Sequence, residues 1–144
     1  MRRRQFLSLV GGAAAWPLTA RAQQPERLRR IGVLSNTGES DPEAQSMVVA
    51  LHQALRELGW VEGRNIRIDH RWAAGNPGRI ADLAKQLVAL QPDVLVAHTS
   101  VPVIALRKET TTIPIVFAQV ADPIGSGFIT NLAHPGGNIT GFSS

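Results

Sequence analysis

Three short polar sets each stand just beyond an apolar run: Ser35-Asn36-Thr37, Thr99-Ser100 and Asp122-Pro123. Hydroxyl and amide groups beside helix N-termini suit a carboxylate or similar anion, because free N–H donors and the positive end of the helix dipole point there. The same residues have a plainer reading, in which Ser100 caps a helix and Ser35 and Asn36 are loop residues. Asp122 has the chemistry of a phosphoacceptor or a base, yet an aspartate beside a proline at a strand end more often shapes a turn.

Other chemistries find little support. Neither a P-loop nor G-x-G-x-x-G follows the first apolar run, so no nucleotide or dinucleotide is expected. No serine sits in a G-x-S-x-G elbow. His52, His70, His98 and His134 are dispersed along the chain, and cysteine is absent. Metal, cofactor and thiol chemistry are therefore not expected, and no catalytic residue is assigned. Asn138-Ile139-Thr140 fits a glycosylation pattern, a match that a bacterial-type leader makes incidental.

The elements that must position these groups alternate from residue 30 onward. Ile31-Gly32-Val33-Leu34 reads as a buried strand. Asp41-Pro42-Glu43 then supplies an N-cap, a first-turn proline and a first-turn acid, and Ala44, Met47, Val48, Leu51, Leu55 and Leu58 form one core-facing stripe ending at Gly59. Ile66 to Trp72 alternates apolar or ring-bearing residues with charged ones, the pattern of an edge strand. Asn76-Pro77 opens a helix carrying Ile80, Leu83, Ala84, Leu87 and Leu90. Val94 to Ala97 reads as a buried third strand, and Thr99-Ser100 is expected to cap a helix over 101–108. Ile113 to Ala118 and Ile139 to Phe142 read as the fourth and fifth strands. Trp60 and Trp72 suit core or rim packing. Such βαβ units imply an open parallel α/β sheet, flavodoxin-like, of order 2-1-3-4-5. Sheets of this kind bind ligands beyond the carboxyl ends of the strands, at the switch point between strands one and three.

The N-terminus reads as an address. Arg3-Arg4-Gln5-Phe6-Leu7 fits the twin-arginine export pattern, a Gly/Ala-rich apolar stretch follows from Leu9 to Leu18, and Ala20-Arg21-Ala22 fits a processing site with cleavage between Ala22 and Gln23. The apolar stretch is well short of the roughly 20 residues a spanning helix needs. Four of the fifteen basic residues lie in these first 22 positions, which hold no acid, so the remainder carries eleven bases against eleven acids. The formal charge of +4 is thus an export signature, and no nucleic-acid partner is expected. Without cysteine there is no lipid anchor, and the expected location is the periplasm in soluble form.

From Arg30 onward the sequence resembles the substrate-binding proteins of ABC transporters, in the group related to tryptophan-type importers. The resemblance rests on Arg30-Ile31-Gly32-Val33-Leu34-Ser35, on 55–66 (LRELGWVEGRNI), on 113–117 (IPIVF), on Asp122-Pro123-Ile124-Gly125 and on 133–141 (AHPGGNITG). It implies a type I periplasmic binding protein, whose two lobes close about a hinge on a small solute, chiefly a hydrophobic or aromatic amino acid or a related organic acid. It further implies an inner-membrane ABC permease as partner. Carried onto this chain, the binding loops are Ser35-Asn36, Thr99-Ser100 and Asp122-Pro123. His98 departs from the small residue expected there. The organisation implied is an export signal at 1–22, a short segment at 23–29 and the first lobe alone at 30–144, with weak solute binding and a tendency to aggregate. Two rival readings are the effector lobe of a transcription regulator, which needs a helix-turn-helix where the leader stands, and a small exported enzyme using Asp122.

Overall fold

In the computed structural model, which describes residues 28–129 and 137–143, strands and helices alternate as the periodicities require. β1 (Arg29–Ser35) is followed by α1 (Pro42–Glu57), β2 (Ile66–Trp72) by α2 (Pro77–Ala89), and β3 (Val94–His98) by α3 (Ser100–Glu109); β4 (Ile115–Val120) and β5 (Ile139–Ser143) complete the sheet. All pairings are parallel, in the order β2-β1-β3-β4-β5. This is the expected winding, with β2 at an edge. The expected leader at 1–22, the expected Ala22–Gln23 cleavage point and His134 lie outside the described residues.

The helix ends follow from local chemistry. Asp41 Oδ1 accepts from Ala44 N at 3.0 Å, and Asn76 Oδ1 from Arg79 N at 3.1 Å, each ahead of a proline in the first turn. Such caps are each worth about 1 kcal/mol. At its far end α1 closes in a Schellman motif: Trp60 N donates to Leu55 O at 2.8 Å and Gly59 N to Arg56 O at 3.0 Å, with Gly59 at φ 91°. That closure turns Leu58 outward. It is 75% exposed and leaves the stripe to which its spacing assigned it.

The core has two faces. On one, α2 and α3 lay Ile80, Leu83, Leu87, Val103 and Leu106 over Leu34, Leu95, Ile115 and Phe117. Gly32 lets α2 approach this face, since a Cβ there would lie 2.9 Å from Leu95 Cδ2 and 3.2 Å from Leu87 Cδ2. On the other face Met47, Leu51 and Leu55 of α1 pack over Ile31, Val33, Ile66 and Ile68. α1 covers β2 and β1 here, so Val94 and Val96 are only half-buried, although their composition predicted full burial. β4 begins at Ile115, two residues later than expected. Pro114 has no N–H to give, and only its carbonyl joins the ladder, accepting from Leu95 N at 2.8 Å.

Candidate functional site at the carboxyl rim of the sheet

Strand register sets the site. Trp72, Ser35, His98 and Ala118 lie side by side at the carboxyl ends of β2, β1, β3 and β4. Partners in a parallel ladder project to the same face, so these four side chains form one row on the α1 side. Ser35 is fully buried and His98 is 2% exposed. Ser35 Oγ has no hydrogen-bond partner, and neither has the buried Oγ1 of Thr37. His98 pairs through Nε2 with Gln119 Oε1, while its Nδ1 is buried without a partner. Buried polar atoms are nearly always hydrogen-bonded, so three bare ones gathered at one rim are unusual.

The backbone at the rim is strained in the same place. Thr99 holds φ 74° and ψ 177°, and Gln119, near the end of β4, holds φ 57°. Neither is glycine, and such conformations cost on the order of 1–3 kcal/mol each. Thr99 N donates to Ala118 O at 2.9 Å, which ties the two strained residues together across β3 and β4. The expected cap of α3 is corrected here. Thr99 occupies the N-cap position but makes no side-chain cap bond, because its left-handed backbone carries the hydroxyl away from the first-turn amides, and Ser100 is itself the first helical residue. The first turn of α3 therefore begins at the rim with no side chain capping it.

The loop after β1 is pinned to the loop after β2. Ser35 O accepts from Ala73 N at 2.9 Å, Asn36 O from Gly75 N at 2.6 Å and Thr37 O from Ala74 N at 3.1 Å. Asn36 and Thr37 are thus held in place by their main chain, and their side chains are half-buried. Asp122 is exposed, and its Oδ1 accepts from Gly125 N at 2.8 Å. Pro123 is buried, with its carbonyl accepting from Phe128 N at 3.0 Å. The turn reading of Asp122 therefore holds, and its carboxylate is engaged in the loop that follows β4.

Register thus brings the ends of β1 and β3 together, Ser35 beside His98, with Thr99-Ser100 directly following. Asp122-Pro123 stands beyond β4 in a turn of its own. Ser35 Oγ is not bonded to His98, so no activated nucleophile is assembled. What the rim can do is donate and accept hydrogen bonds to a small polar or ionised group. Sequence reasoning passed over two members. Gln119 carried no signal beyond being polar inside an apolar strand, and His98 stood out only as unusual. The histidines also need correcting as a set, because His52 and His70, far apart in sequence, meet with their Nε2 atoms 3.3 Å apart.

A family profile described as ABC transporter substrate binding protein matches residues 31–144. The chain belongs to that family. It is similar to a tyrosine-binding protein of Clostridioides difficile, at 32% identity over 91 residues, 63% of this chain and 26% of that protein. Among solved structures it is similar to an ABC domain from Streptococcus pneumoniae in complex with L-Trp, at 31% identity and a TM-score of 0.75, covering 81% of this chain and 39% of that one. A conserved domain protein from Vibrio cholerae aligns at 35% identity with a TM-score of 0.77, over 82% of this chain and 39% of its own. The chain thus spans well under half the length of these relatives. Among the described residues, no helix of this family member is long and apolar enough to cross a membrane.

Proposed function

We propose that this chain supplies one wall of the solute cleft in the binding component of an ABC importer. The observation that carries the reading is the set of buried, partnerless polar atoms at the carboxyl ends of β1 and β3, on Ser35, Thr37 and His98. A chain whose relatives include a tyrosine-binding protein and a domain holding L-Trp fits an amino acid or a kindred small organic acid as solute. The ligand-binding set is then Ser35, Asn36, Thr37, Thr99, Ser100, Asp122 and Pro123, joined by His98 and Gln119. The uncapped first turn of α3 suits the solute's carboxylate, and the Ser35 and Thr37 hydroxyls suit its polar atoms. Burial of those hydroxyls favours the solute over water, because bonds made in a desolvated site are stronger.

The family further supports a membrane permease as partner and a periplasmic location; the Arg3-Arg4 pattern near the N-terminus supports the export machinery as the route there. One wall can make only part of the contacts that two closing lobes would make, so solute binding by this chain alone is weak.

Amide chemical-shift mapping tests the reading. With L-Tyr, L-Trp and L-Glu titrated in turn to millimolar concentration, shifts should concentrate at 35–37, 98–100 and 119–123 for at least one solute. Shifts confined to other surfaces, or a micromolar affinity that survives the combined Ser35→Ala and Thr37→Val changes, would overturn it.

A further inference from the structure

His52, in the middle of α1, and His70, near the end of the edge strand β2, bring their Nε2 atoms to 3.3 Å. Two nitrogens sharing a tetrahedral ion with metal–nitrogen distances of about 2.0–2.1 Å stand about 3.3–3.4 Å apart, so this separation is that of two ligands of one ion. The outer nitrogen of His52 faces a carboxylate: Nδ1 lies 3.5 Å from Glu62 Oε2, within ion-pair range though longer than a hydrogen bond. A carboxylate on the far nitrogen fixes the ring's tautomer, keeping the proton on Nδ1 and the lone pair on Nε2. The His70 ring is held between neighbours, with its centroid 5.6 Å from that of His52 and 5.9 Å from Trp72, in nearly parallel planes. A cavity of about 440 Å³ opens beside His52, lined also by Glu62, Leu55, Arg56 and Trp60; His70 lies behind it and does not line it.

We propose that His52 and His70 form a two-imidazole site for a borderline divalent cation, Zn²⁺, Ni²⁺ or Cu²⁺, with Glu62 orienting His52. In the ion-free chain one proton holds the pair: His70 Nε2–H donates to His52 Nε2. The cation replaces that bond, and the His70 proton moves from Nε2 to Nδ1, an atom that is buried and makes no other hydrogen bond, so both rings stay neutral and no proton is released. The ring charge state suits this, since burial, and next the His52 neighbour, push the His70 pKa below 6.5 and hold the ring in its ligating form. Glu62 and Asp69 oppose that push and Arg71 adds to it. Glu62 also attracts a cation, while Arg56 on the cavity wall repels one. Among the described residues no third histidine, cysteine or carboxylate converges on the pair. Water or a small ligand in the cavity therefore completes the coordination, and the affinity order follows that of imidazole for first-row ions, Cu²⁺ above Ni²⁺. The pair adjoins the carboxyl rim through Trp72, but the solute reading is not needed for it.

The test uses the full chain, purified without a histidine tag, titrated with each ion against a chromophoric competitor near neutral pH. One ion per chain is expected, with a rise in melting temperature, because the ion ties α1 to β2. His52→Ala lies on a half-exposed helix face and should fold normally while losing at least tenfold in affinity. His70→Ala should lose as much, and Glu62→Gln about tenfold, the usual effect of removing an orienting carboxylate. Asp82→Asn, on the exposed face of α2, should take up the ion as the unaltered chain does. Histidine ¹⁵N shifts should move at His52 and His70 together. Unchanged uptake in His52→Ala, or no uptake at a hundredfold excess of any of the three ions, would overturn the assignment.

Discussion

Thr99 offers a direct measure of how much strain the rim stores. At φ 74° and ψ 177° it occupies a region open in practice only to glycine. Its hydroxyl makes no cap bond, so replacing the side chain removes no helix-capping contact. Thr99→Gly relieves strain of about 1–3 kcal/mol and adds about 0.5–1 kcal/mol of backbone entropy to the unfolded chain. The net expectation is a gain of about 1 kcal/mol, or a rise in melting temperature of about 3–5 °C for a domain of this size. Thr99→Ala keeps the strain and loses only the methyl and hydroxyl, so it should stay within about 0.5 kcal/mol of the parent. Paired thermal and urea melts of the three chains separate the two effects. Solute shifts at 98–100 should weaken in Thr99→Gly, because a relaxed residue no longer fixes the first turn of α3. A glycine variant less stable than the alanine one would refute the strain argument.

Ser35→Ala removes a buried hydroxyl that bonds to nothing, so stability should hold or rise by up to about 1 kcal/mol while solute-induced shifts at 35–37 fade. Leu87→Ala empties a fully buried site between α2 and the sheet and should cost about 2–5 kcal/mol in a urea melt. His70 bears on pH dependence. Its folded ring resists a proton that the unfolded ring accepts near 6.5, so its contribution is present above that pH and is lost as pH falls through the lower folded value. His70→Gln should accordingly lose less stability than the parent between about pH 7.5 and about pH 5, as read by denaturant midpoints.

Much of the fold could be read from period and punctuation. The proline-led helix starts, Gly59, and the charged alternation from Ile66 to Trp72 each mark an element end or an edge through local chemistry. What escaped reading depends on closure at a distance. The exposure of Leu58 follows from a hydrogen-bond pattern at the helix end, which spacing does not encode. The half-burial of Val94 and Val96 follows from where α1 comes to rest. At the rim, residue types pointed to strand ends that register brings together, since Ser35 and Thr99-Ser100 stand where the ladder gathers them. Gln119 and His98 were hidden because their pairing spans β3 and β4. The meeting of His52 with His70 requires α1 to lie along β2, a relation that no spacing along the chain announces.

Parallel order has a consequence for the chain's birth. β1 is the first strand to be synthesised, yet it lies inside the sheet, with Ile31 paired to Ile68 on one side and to Val94 on the other. No two strands can join until a crossover between them has closed, so every ladder waits on a long loop. At about 5–20 residues per second, several seconds separate the making of β1 from that of its second partner. Through that interval Val33 and Leu34, both buried at the end, have no sheet to enter. The strand that anchors the finished lobe is therefore the one most in need of a chaperone while the lobe is being made.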